Sequence, residues 1–103
     1  MQTAKCDKLI EPFVKNAIGE ALNDREARNK RGKSKLDLPE FREMVTYILE
    51  RKASSIRHGL QKEGERECVL RFDEILKRLH GNEPSPFDEL IKRIYDQPVG
   101  KVK

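Results

Sequence analysis

The amino-acid sequence predicts an all-α protein: a small four-helix bundle, mostly antiparallel, with a basic helix end and loop projecting after the first helix. Three observations predict it. Apolar residues recur in steps of three and four, which a 3.6-residue period gathers into one stripe per segment. No segment alternates with period two for long enough to make a strand. Proline, glycine and capping residues stand at the ends of the periodic segments, where helices start and stop. A chain of 103 residues fits one domain, residues 1–103, with helices expected at roughly 7–31, 38–62, 65–80 and 86–97.

The first helix carries Leu9, Ile10, Phe13, Val14, Ala17, Ile18, Ala21 and Leu22 on one stripe. Pro12 lies inside this pattern, where it removes an intrahelical hydrogen bond. Either the helix kinks there, or Pro12 opens the helix proper after a short turn. Beyond Leu22 the stripe ends, yet Asp24/Arg28 and Glu26/Lys30 are spaced i,i+4 and Gly32 is placed as a stop, so the helix runs on past the core. Gly32 to Leu36 reads as a loop.

Asp37, Pro39 and Glu40 form a helix-start signal for the second helix, which carries Phe41, Met44, Val45, Ile48, Leu49, Ala53, Ile56 and Leu60 as one long run. The third carries Cys68, Val69, Phe72, Ile75, Leu76 and Leu79, with Gly81 as its stop and Lys77 and Arg78 in its last turn. Ser85 as N-cap, Pro86 at the first helical position and Asp88 three after the serine open the fourth, with Phe87, Leu90, Ile91, Ile94 and Tyr95 on its stripe. Gly19 and Gly59 sit inside helical patterns at a cost of up to about 1 kcal/mol each relative to alanine, which points to close helix approach.

Hydrophobic residues make up 36% and charged residues 39% of the chain, and mean hydropathy is -0.81. The core is expected to be thin, which favours a partner surface or a homo-oligomer. The longest uninterrupted apolar runs are two or three residues, far below the roughly 20 that span a bilayer, so a membrane protein is not expected. Cys6 and Cys68 lie far apart behind an N-terminus without a secretory pattern. They read as free thiols in a reducing, cytoplasmic compartment.

The formal charge is +4, and "RNKRGKSK" places Arg28, Lys30, Arg31, Lys33 and Lys35 in eight positions without an acid. Without these five the remainder carries +4 − 5 = −1, so the basic character is one local feature. Such a segment meets nucleic-acid phosphates or an acidic protein surface. The helix macrodipole accounts for Arg28, Lys30 and Arg31 at a helix end without any ligand, but not for Lys33 and Lys35 beyond it. Phe13, Phe41, Tyr47, Phe72, Phe87 and Tyr95 all fall in helical segments and none interleaves with this stretch, so the expected contact is to phosphate, with little reading of bases.

No C-x-x-C, H-x(3-5)-H, Glu-x-x-His or complete phosphate-loop motif is present, and neither metal nor cofactor is expected. "RKASSIRHGLQKEG" supplies the only catalytic candidates, Arg51 and His58. With six residues between them they resemble the Arg-x(4-6)-His motif of HEPN-type ribonucleases, although Lys52 stands where a different polar residue follows the arginine. That resemblance implies a helical ribonuclease using both residues at a dimer cleft. "HGLQK" resembles the H-x-L-K-G patch of histidine phosphotransfer domains, with Gln61 and Lys62 in place of its Lys and Gly. It implies a phosphoryl group carried on His58.

The expected function is that of a small intracellular binding or regulatory module contacting its partner through residues 28–35. A protein–protein adaptor or inhibitor completed by oligomerisation, with Leu36, Leu38 or Tyr47 at a stripe edge, is the alternative. An enzyme centred on Arg51 and His58 is the third class.

Overall fold

The computed structural model describes residues 3–30, 37–62 and 66–96, the side chains of Thr3 and of 28–30 excepted. The described residues form five helices and no strand: α1 (Thr3–Lys30), α2 (Leu38–Arg51), α3 (Ala53–Lys62), α4 (Arg66–His80) and α5 (Asp88–Tyr95). One buried cluster joins them. Ile10, Val14, Ala17, Ile18 and Ala21 of α1 meet Phe41, Val45 and Leu49 of α2, Ile56 and Leu60 of α3, Phe72 and Ile75 of α4 and Ile91 of α5. No described helix is long and apolar enough to cross a membrane.

The long second helix expected over 38–62 is two helices. Lys52 between them has φ −98° and ψ 6°, off helical geometry. The ladder resumes on either side, with Lys52 N–H donating to Ile48 O at 3.1 Å and Ile56 N–H to Lys52 O at 2.9 Å. The Ser54–Ser55 pair just beyond is the sequence feature that loosens a helix at such a place. At the start of α2 the capping box is formed as the sequence predicts: Glu40 N–H donates to Asp37 Oδ1 at 2.9 Å, and Asp37 N–H to Glu40 Oε1 at 3.1 Å.

Helix α1 runs unbroken through Pro12. Its 28 residues, at about 1.5 Å each, match the longest dimension of the molecule, 45 Å. It begins at Thr3 rather than at 7, because its first turn is tied down. Cys6 and Cys68 are joined by a disulfide, with Cα atoms 4.9 Å apart, and both are buried. This corrects the expectation of free thiols: two cysteines 62 positions apart become neighbours only through the packing of α1 on α4. Beside the disulfide Arg71 grips Asp7 through two bonds, Nε to Oδ1 at 2.9 Å and Nη2 to Oδ2 at 3.2 Å. The hydrogen bond and charge of Asp7 outweigh burial and raise the Arg71 guanidinium further above its ordinary range.

Further contacts fix how the helices meet. Lys52 pairs with Glu20, and Phe13 faces Gly59, so successive contacts move back along α1 as they move forward through α3. Arg57 of α3 pairs with Asp73 of α4 at 2.7 Å, and Glu50 of α2 with His80 of α4 at 2.5 Å. At Gly59 an added Cβ would lie 3.4 Å from Phe13 Cζ, a close approach, whereas Gly19 has nothing within 4 Å and is a surface position rather than a packing one.

Two ends differ in detail from the sequence reading. Helix α4 stops after His80, but the left-handed residue is Asn82, at φ 58°. Glu83 N–H to Arg78 O (2.8 Å) and Asn82 N–H to Leu79 O (3.3 Å) close a Schellman turn around it. Helix α5 begins at Asp88, not at 86. Ser85 and Asp88 instead lock the preceding turn, Ser85 Oγ donating to Asp88 Oδ1 at 2.7 Å and Ser85 N–H to Asp88 Oδ2 at 3.0 Å.

Candidate functional site

Of the basic segment, Arg28 and Lys30 fall in the last turn of α1; their side chains, and Arg31, Lys33 and Lys35 entirely, lie outside the described residues. Approaching that turn, the buried stripe of α1 ends at Ala21. Arg25 then fastens the helix to α5, donating from Nη1 to Tyr95 O at 2.8 Å and lying 4.7 Å over the Tyr95 ring.

Many described cations are likewise engaged within the molecule. Arg42 donates to Asp88 Oδ1 (3.2 Å), Asn82 Oδ1 (3.0 Å) and the carbonyls of Leu79 (3.3 Å) and Glu83 (2.5 Å). Arg78 and Arg71 share Glu74, and their hydrogen bonds, that of Arg78 first, pull its carboxyl below the usual range. Burial alone would push Asp88 up, but the bonds from Ser85 and Arg42 outweigh it and hold Asp88 below its ordinary value.

Arg51 and His58 are both exposed, on successive helices, α2 and α3. Seven positions along a helix put them on one face, about 10 Å apart along the axis. Neither lines the clefts described below. Arg51 lies instead over the Tyr47 ring, 5.8 Å from guanidinium carbon to centroid. Tyr47 itself is 59% exposed. No aromatic lies beside the 28–35 stretch in sequence, whereas Tyr47 stands one turn before a second basic stretch, 51–62, that holds no acid. The signal was present: Tyr47 falls between Val45 and Ile48, off the buried stripe of α2.

Two clefts open on the surface. One, of about 280 Å³, lies between α2 and α4 and is lined by Glu43, Thr46, Tyr47, Glu50, Leu79 and His80. The other, of about 440 Å³, lies between the N-terminal part of α1 and α5, with Lys8, Glu11, Phe87, Leu90 and Arg93 among its lining residues. Among the described residues no group of three or more His, Cys, Asp or Glu side chains is placed to hold a metal ion, and both cysteines are consumed by the disulfide.

The chain matches no protein-family model, no curated protein and no solved structure. The likeness to HEPN-type ribonucleases therefore rests on the Arg51 and His58 spacing alone, and that to histidine phosphotransfer domains on the "HGLQK" patch alone.

Proposed function

We propose that this chain is a small binding or regulatory module, one domain built as a mostly antiparallel helical bundle, whose basic segment contacts nucleic-acid phosphates or an acidic protein surface. The observation that carries this reading is the density of charge at 28–35: five cations in eight residues, against a net −1 elsewhere. The internal pairing of Arg42, Lys52, Arg57, Arg71 and Arg78 supports it, since those cations are already neutralised by acids of the same molecule. The Glu20–Lys52 pair and the Phe13–Gly59 contact, which run in opposite order along α1 and the 52–62 stretch, favour the antiparallel arrangement.

The experiment is binding of labelled duplex DNA and RNA, with Lys30, Arg31, Lys33 and Lys35 all replaced by Ala in parallel. Binding that the variant loses supports a phosphate contact. Absence of binding at about 50 mM salt sinks the nucleic-acid half of the reading, because non-specific binding of this kind is strongest at low salt.

A second reading is a protein adaptor or inhibitor completed by oligomerisation. The exposed Tyr47 and Leu70, at 59% and 66%, favour it. Partner binding that survives moderate salt and depends on these residues distinguishes it. Cys6 and Cys68 are bonded and so give no support to a reducing, cytoplasmic location.

A further inference from the structure

We propose that Tyr47, Arg51, Ser55, His58 and Lys62 form a contact surface for single-stranded nucleic acid, one base stacking on Tyr47 and the phosphates that follow meeting Arg51, His58 and Lys62. The steps of four, four, three and four place the five on one helical face, and the hydrogen bonds on either side of Lys52 carry that face from α2 into α3. All five are exposed, while Ile48, Leu49, Ala53, Ile56 and Leu60 take the buried side. The fifteen residue steps from Tyr47 to Lys62 make a track of about 22 Å.

No acid occurs between Arg51 and Lys62. Glu20 of α1 and Asp73 of α4 are engaged by Lys52 and Arg57, and Glu50, on α2 itself beside Arg51, is engaged by His80. Glu43, one turn before Tyr47, bounds it at that end. Arg51 sits over the Tyr47 ring and the tyrosine is still 59% exposed, the pairing of aromatic and guanidinium on which unstacked bases settle. A duplex keeps its bases within the stack, out of reach of Tyr47. A membrane surface needs several apolar side chains to insert, and the track offers only Tyr47.

The partner class follows the nucleic-acid half of the proposed function, but the residues are different, and the test separates the two. Labelled oligo-dT and oligo-U of roughly 12 nucleotides are titrated with the wild type, Y47A, Y47F, the double variant R51A/K62A and the 28–35 alanine variant. The expected result is binding that Y47A weakens about 5- to 150-fold and Y47F retains. R51A/K62A is expected to lower the slope of log K against log salt by about 1.4.

Helix content and thermal midpoint of the stripe variants should match the wild type, since every changed side chain is exposed. Wild type that binds neither oligonucleotide overturns the inference, as do Y47A and R51A/K62A binding like wild type. Loss confined to the 28–35 variant overturns the track and upholds the segment. Loss confined to the track variants does the reverse.

Discussion

The Arg42 guanidinium on α2 meets Asp88 at the start of α5, Nε lying 3.2 Å from Oδ1, and through this pair the turn after α4 is held to α2. Arg42 is mostly buried while Asp88 is part-exposed, at 14% and 38%, and the same guanidinium serves Asn82 and the carbonyls of Leu79 and Glu83. Removing it leaves several acceptors without a charged donor. Arg42→Ala is expected to lower stability by about 2 kcal/mol in urea denaturation, and Arg42→Lys by less, because a single ammonium cannot reproduce the fork. An unchanged midpoint in Arg42→Ala would contradict this.

Asp88 also makes the fold acid-sensitive. Its folded pKa lies below the ordinary 3.8, so below that value the unfolded chain binds the proton more readily than the folded one. The stabilisation is complete above the ordinary value and is lost as pH falls through the folded pKa. Unfolding free energy measured from pH 6 down to pH 2 should drop at the acid end, and Asp88→Asn should flatten part of that drop. A variant with the same acid slope as wild type would show that Asp88 plays no part.

The buried disulfide closes a loop of 62 residues, and a loop that long gains about 4 kcal/mol in the chain-entropy account. No thiol should titrate in denaturant until a reductant is added, and reduction should lower the thermal midpoint markedly. Two titratable thiols without reductant would contradict the bond.

The two helical glycines should respond differently to alanine. Gly19 has open space around its missing side chain, so Gly19→Ala is expected to stabilise by about 0.5–1 kcal/mol through helix propensity alone. Gly59→Ala meets Phe13 Cζ at 3.4 Å and should gain less or nothing. Equal gains at both sites would show that the Phe13 contact has no cost.

Asn82 stands at φ 58° and accepts from Arg42 Nη1 at 3.0 Å. Asn82→Ala loses both the tolerance of a left-handed conformation and the bond, and is expected to destabilise by about 1–2 kcal/mol. Asn82→Gly restores only the first and should fall between. Thermal melts of the two variants compare these costs directly.

What the sequence made legible was what local chemistry controls. The stripe of α1, the Asp37–Glu40 capping box and the apolar face of α4 depend on residues a turn or two apart, and all three were readable. The Cys6–Cys68 bond, the reach of Arg42 to Asp88 and the grip of Arg71 on Asp7 join positions 62, 46 and 64 apart, and nothing in local periodicity announces them. The break at Lys52 lies between, since the Ser54–Ser55 pair signals it but the apolar pattern runs straight through. Tyr47 was visible as a residue off the stripe of α2, and only packing shows it exposed beside Arg51.

The central claim is that residues 28–35 act as a phosphate contact, and the slope of log K against log salt for duplex DNA tests it most directly. Five cations each meeting a phosphate predict a slope of about −4.5, a loss of a few hundred-fold between about 50 and 200 mM salt, and a slope shallower by about 3.6 once Lys30, Arg31, Lys33 and Lys35 are alanine. A wild-type slope near zero, or the same slope in wild type and variant, would contradict it.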